Sequence, residues 1–135
     1  MIFQLQHLLT ESAARRPDAI AVRLEETALT YAVLETKSNQ LAHALAAAGV
    51  APGDRVGIHI GKSLESIISV FGVLKAGACY VPIDGSAPAA RVADIVRQCG
   101  IECLITAASA VRGLKGAGQL PLQRLFLVDA PVEAR

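Results

Sequence analysis

The sequence predicts an α/β fold, with alternating strands and helices around a partly parallel sheet. The first observation behind this is the alternation of short β-branched runs with amphipathic helical patterns, which argues for a parallel sheet covered on both faces. The second is punctuation: Gly49 stops one helical pattern ahead of the Pro52-Gly53-Asp54 turn, and another ends in Lys75-Ala76-Gly77 just before a β-type run. The third is bulk. A chain of 135 residues, 53% apolar and 19% charged, is the size of one domain and buries roughly two thirds of its unfolded surface. Its crossovers are expected to be right-handed.

The elements follow in order. Gln4 to Arg15 reads as a short helix ended by Arg16-Pro17, with Leu5, Leu8 and Leu9 on one face. Ile20 to Leu24 and Leu29 to Tyr31 read as two strands joined by a Glu25-Glu26-Thr27 turn. A longer helix follows with Leu34, Leu41, Leu45 and Ala48 on its apolar side, and Gly49 stops it. Pro52-Gly53-Asp54 is a turn, and Val56 to Ile60 a strand. Leu64, Ile67, Ile68, Phe71 and Leu74 form one face of the next helix. Cys79 to Ile83 is a strand, and Pro88 opens a helix carrying Val92, Ile95, Val96 and Cys99. Ile101 to Thr106 and Leu125 to Val128 are strands. Ala107 to Leu120, rich in Ala and Gly, reads as a helix fragment plus a mobile loop, and residues 107–135 as a weakly defined tail of a single incomplete domain over 1–135.

Composition excludes several functions. A formal net charge of +1 with Lys and Arg spread along the chain gives no electrostatic case for nucleic acid. Aromatic content of 4% without Trp argues against stacking platforms for single strands. No apolar stretch approaches the roughly 18–20 residues that span a bilayer, and Met1-Ile2-Phe3-Gln4 lacks the pattern of a signal peptide. Cys79, Cys99 and Cys103 have no framework spacing, so the plain expectation is reduced thiols in a cytoplasmic protein.

Three motifs carry a family resemblance. Leu29-Thr30-Tyr31-Ala32-Val33-Leu34 is followed by Ser38-Asn39-Gln40-Leu41-Ala42. Then come Gly49-Val50-Ala51-Pro52-Gly53-Asp54-Arg55-Val56 and Leu74-Lys75-Ala76-Gly77-Ala78-Cys79-Tyr80-Val81-Pro82-Ile83-Asp84. In this order and spacing they resemble the N-terminal part of the adenylate-forming (AMP-binding) ligases. The amino-acid adenylation domains of nonribosomal peptide synthetases are the nearest likeness. Two positions depart from the family pattern: Asp84 is followed by Gly85 where members often read Pro, and Gly61-Lys62-Ser63 stands where many carry a charged pair.

The resemblance covers roughly Leu5 to Thr106 and implies a parent that joins a carboxylate to ATP as an acyl adenylate, releasing pyrophosphate. The acyl group then passes to a carrier-protein phosphopantetheine or coenzyme A thiol. It implies architectural roles here: Tyr31 leads into the first long helix, Gly77 permits close helix–strand approach, and Pro82 ends a strand. The family's phosphate loop, magnesium-binding acid, ribose-binding aspartate and mobile lysine lie downstream of this segment. Such chemistry depends on positioning and charge compensation, so the expectation is no catalytic, cofactor-binding or metal residue in this chain and no adenylate made by it alone. ATP, magnesium and a phosphopantetheine acceptor belong to the parent. Partners are the remainder of the adenylation domain and a carrier protein, with no nucleic acid and no membrane.

Several residues invite chemistry and are read structurally instead. Gly57-Ile58-His59-Ile60-Gly61-Lys62-Ser63 is one residue short of a phosphate-binding P-loop, and its middle is strand material; Ser63 reads as a helix N-cap. Gly113 to Gly118 lacks the strand and helix context of a dinucleotide site and reads as a surface loop. Cys99, Cys103, His59 and His43 lack zinc spacing, and the two thiols read as buried or half-buried. Tyr80 reads as a packed aromatic with a backbone partner for its hydroxyl. Asp84, at a strand's carboxyl end, reads as a cap of the turn before Pro88. The chain is thus read as the scaffold portion of an adenylate-forming ligase, its bare last strand favouring further polypeptide after it. The alternative is a stand-alone interaction or regulatory module without catalysis.

Overall fold

A computed structural model describes residues 4–116 and 120–128 of the chain. Six strands and five helices follow in the order α1 (Leu5–Arg15), β1 (Ile20–Leu24), β2 (Thr27–Thr30), α2 (Tyr31–Ala47), β3 (Arg55–Ile60), α3 (Leu64–Lys75), β4 (Cys79–Asp84), α4 (Ala89–Cys99), β5 (Cys103–Thr106), α5 (Val111–Gly116) and β6 (Arg124–Leu127). A 3₁₀ turn, Ala108–Ala110, leads into α5. β1 and β2 form an antiparallel hairpin. The other four strands make a wholly parallel sheet in the order β4-β3-β5-β6.

The sheet is covered on both faces, as the alternating pattern predicts. Val56 and Ile58 of β3 and Cys103 and Ile105 of β5 pack with Leu45 of α2 and Val73 of α3. Leu104 and Ile83 point the other way and pack with Val92 and Val96 of α4 and Leu114 of α5. The chain passes from β3 to β4 through α3 on one face, then back past β3 to β5 through α4 on the opposite face. Reversing direction and face together keeps the crossover hand constant, as the right-handed rule requires.

Three helices end in the same way and feed the sheet directly. Gly49 (φ +98), Gly77 (φ +79) and Gly100 (φ +65) follow α2, α3 and α4 in the left-handed region. The next residue in each case donates its amide back to the helix: Val50 to Leu45, Ala78 to Val73 and Ile101 to Val96, at 3.0, 3.1 and 3.0 Å. These are Schellman ends, and Val50, Ala78 and Ile101 are all buried core residues. Gly77 therefore serves its backbone angle. An added Cβ there would meet nothing nearer than Pro52 at 3.4 Å, so the expected close helix–strand approach is not its role.

Other expectations change by position. The hairpin turn is only Glu25-Glu26, with Glu25 at φ +53 and Thr27 already paired with Leu24; Tyr31 starts α2 instead of ending a strand. Pro82 lies inside β4 opposite Ile58. An edge strand tolerates its missing N–H, so it does not end the strand. Tyr80 is 38% exposed, on a strand that forms the edge of the sheet; the packed reading is wrong. On α1 only Leu9 is buried, while Leu5 and Leu8 are exposed.

Helix α3 has two buried sides. Leu64, Ile67, Ile68 and Phe71 face the outer cluster of Leu9, Leu29 and Leu34, while Val70 and Val73 face the sheet. Gly113 lies in α5 and Leu114 is in the core, so the Gly113 to Gly118 stretch opens as helix instead of surface loop. Residues 117–119 and 129–135 lie outside the described residues. No helix among the described residues is long and apolar enough to cross a membrane.

Candidate functional site

Doubly wound sheets bind ligands at the carboxyl ends of strands whose following connections leave in opposite directions. Here those strands are the neighbours β3 and β5: β3 leads towards β4, and β5 leads towards β6. Their carboxyl ends carry His59 and Thr106, which are opposite each other in register. Asp84 and Gly85 close the end of β4 alongside, and Gly61, Lys62 and Ser63 follow β3.

His59 is 5% exposed and Thr106 is fully buried. The Thr106 hydroxyl donates to the His59 carbonyl at 2.9 Å. That uses its single proton, so in the 3.1 Å contact with His59 Nδ1 the hydroxyl oxygen must accept. His59 therefore carries its proton on Nδ1. Its Nε2 presents a lone pair and has no hydrogen-bond partner among the described residues. Burial holds the imidazole below its ordinary value, with the Asp84 charge acting in the opposite direction. This pair was not foreseen from the sequence; the signal available was a His and a Thr at inward positions of two apolar strands.

Asp84 does what its position predicted. Its Oδ1 accepts from the Ser86 amide at 2.9 Å and the Ser86 hydroxyl at 2.8 Å. Those bonds, the amide first, hold the carboxyl below the usual carboxylate range. The carboxylate is thus occupied by a turn.

Gly61-Lys62-Ser63 builds no phosphate cradle. Ser63 Oγ accepts from the Ser66 amide at 3.2 Å, capping α3, and donates to the Gly61 carbonyl at 3.0 Å. Gly57, His59 and Ile60 stay in the strand, so no run of amides turns towards an anion. The residues present do not by themselves fit the phosphates of ATP.

Cys103 and His59 lie at opposite ends of the paired stretch of β3 and β5. Cys103 begins β5 at the opposite end of the sheet from Thr106 and faces the α2/α3 side. Burial pushes its thiol up to about 11, leaving it inert as a nucleophile. Cys99 is half-buried and Cys79 exposed. Among the described residues no group of three His, Cys, Asp or Glu could hold a metal ion.

A second polar cluster lies among the outer helices. Lys75, from the long third motif, donates to the Glu35 carboxylate, to the Glu35 carbonyl at 3.3 Å and to Asn39 Oδ1 at 2.8 Å. Thr10 of α1 reaches the same carboxylate at 3.3 Å, and Gln6 donates to the Leu74 carbonyl at 3.1 Å. The cluster ties α1, α2 and α3 together. An apolar groove of about 270 Å³, lined in part by Val111, Leu114, Leu120, Leu122 and Leu125, opens beside β6.

Comparison with known proteins shows the family to which this fold belongs. A sequence profile described as AMP-binding enzyme matches residues 9–133. The chain belongs to the AMP-binding enzyme family. Malpibaldin synthetase of Mortierella alpina is 39% identical over 126 residues, covering 93% of this chain and 2% of that protein. Zwittermicin A synthase ZmaJ of Bacillus cereus is 39% identical over 102 residues, covering 76% of this chain and 19% of its own length. Among solved structures, the N-terminal domain of FACL13 from Mycobacterium tuberculosis superposes with a TM-score of 0.86 at 25% identity, covering 98% of this chain and 36% of that one. The nonribosomal peptide synthetase FmoA3, solved with alpha-methyl-L-serine-AMP bound, gives 0.84 at 32% identity over 95% of this chain and 14% of that one. The chain thus spans only part of each of these relatives, and its likeness is to the N-terminal portion of adenylate-forming enzymes.

Proposed function

We propose that this chain is the N-terminal scaffold of an ATP-dependent ligase that activates an amino acid or related carboxylate. In that reaction a carboxylate oxygen attacks the α-phosphorus of ATP and pyrophosphate leaves, giving the acyl adenylate. A thiol then attacks the acyl carbon and AMP departs. The thiol favoured here is a carrier-protein phosphopantetheine in a cytoplasmic synthetase, because FmoA3, a nonribosomal peptide synthetase, shares both fold and 32% of its aligned residues with this chain. Magnesium and the nucleotide would be held by residues outside this chain. The single observation that carries the reading is the family match over residues 9–133, joined to a carboxyl-end site whose Ser63 and Asp84 side chains are already occupied by a helix cap and a turn.

The chain's own contribution is to present the carboxyl ends of β3, β4 and β5 in fixed register. ATP–pyrophosphate exchange tests this. The 135-residue chain should show no exchange and no saturable Mg·ATP binding, while a polypeptide extended through the rest of an adenylation domain should exchange. Saturable Mg·ATP binding by the chain alone would overturn the scaffold reading. A second reading, an interaction module that docks a separate partner, draws on the exposed Leu125 and Leu127 of β6. It predicts that the extended polypeptide stays inactive.

A further inference from the structure

Three features of the carboxyl end are unexplained by scaffolding. A histidine is nine-tenths buried in the central strand, its neighbour across the sheet is a threonine, and one ring nitrogen has no partner among the described residues. An aliphatic pair would fill the same inward positions without the cost of burying polar atoms. We propose that His59 and Thr106 form a pH-sensitive bracket, closed when the imidazole is neutral, that fastens the carboxyl end of β3 to that of β5.

The geometry fixes how the bracket closes. Thr106 donates to the His59 main chain while its oxygen accepts from Nδ1–H, so one side chain and one backbone carbonyl of β3 are held by a single hydroxyl of β5. A proton added at Nε2 would place an unsatisfied N–H and a full charge in a buried position. That is the costly direction. The surroundings offer little relief. From β5 the facing group is Thr106, which is uncharged. From β4, Asp84 is the charged group that acts on the ring, and its carboxylate already accepts both Ser86 bonds. The buried residues of α4 are Val92, Ala93 and Val96, and that of α5 is Leu114, all uncharged.

The sign follows from the depressed folded-state value. Below the ordinary imidazole value near 6.5 the unfolded chain binds a proton that the folded chain resists. The bracket's contribution is therefore complete above about pH 6.5 and is lost as the pH falls towards and through the folded-state value. Because β3 and β5 flank the switch point, the end of the sheet that loosens is the end where ligands of such sheets bind.

The test is urea unfolding of the 135-residue chain at a series of pH values between about 7.5 and 5.5, the range in which an imidazole titrates. The wild-type midpoint should fall across this range, and His59→Leu should remove most of that fall. An equal fall in both proteins overturns the proposal. Should His59→Leu fail to fold, nitrogen NMR of the wild-type imidazole decides instead. A folded-state Nδ1–H tautomer that protonates only below about pH 6.5 supports the bracket, whereas an Nε2–H tautomer or a value at or above 6.5 overturns it.

Discussion

A methyl group added at Gly85 would lie 2.6 Å from the amide nitrogen of Gly61 and 2.7 Å from its Cα, both backbone atoms that cannot swing aside. The converse addition at Gly61 meets nothing within 4 Å. Gly85 is one of the chain's two departures from the family pattern, and Gly61 opens the other, Gly61-Lys62-Ser63, so the two departures lie against each other. A side chain or proline ring after Asp84 would require the loop after β3 to move. Gly85→Ala should therefore cost about 1–3 kcal/mol by overpacking. Gly61→Ala should stay within about 0.5 kcal/mol. Urea midpoints of the two variants check this asymmetry, and equal effects would contradict the contact. Read alone, each glycine looks like ordinary loop punctuation; only their contact in space distinguishes the one that needs to be glycine.

At the scale of elements, the third motif gains a physical reason. Lys75 is the last residue of α3, and its side chain is 9% exposed beside a Glu35 side chain 20% exposed. It fills three acceptors on α2, while Thr10 of α1 shares the same carboxylate. Lys75→Met would retain the stem's bulk and strand Glu35 and Asn39 without their donor. The expected loss is about 2–3 kcal/mol, below the figure for a fully buried pair because Glu35 is partly wetted. Glu35→Gln in the Lys75→Met background should then cost little, a coupling that a double-mutant cycle measures. Helix existence and helix ends were legible in the chain, because a 3.6-residue pattern and a following Gly are local signals. The sidedness of α3 was not: it packs against the outer helices and the sheet at once, so its apolar residues fall on more than one face.

At the scale of the whole molecule, the two layers of helices are unequal in reach. Leu104 in β5 is fully buried between them, whereas Leu125, its partner in register on β6, is 42% exposed. Leu104→Ala should destabilise the chain by about 2–5 kcal/mol through a core cavity. Leu125→Ala should change it by no more than about 0.5 kcal/mol. Denaturation of the two variants in the 135-residue chain reads the difference. Comparable losses would mean that β6 is covered as fully as β5. Tyr80 follows the same logic from the other edge: its exposure comes from where β4 lies in the sheet order, which its own sequence does not state.

By itself the sequence determined the α/β class, the succession of helices and strands, the capping by Ser63, the turn at Asp84 and the family. Each is written in neighbouring residues or in motif order, so no knowledge of long-range contact is needed. The tertiary structure decided the strand order β4-β3-β5-β6, and with it which strands are edges, which carboxyl ends form the switch point and which side chains meet there. His59 and Thr106 stand 47 positions apart, Glu35 and Lys75 40. Chain separation of that size carries no local pattern. Those pairs exist because parallel register and helix packing bring distant residues together, and burial then gives each polar contact its weight.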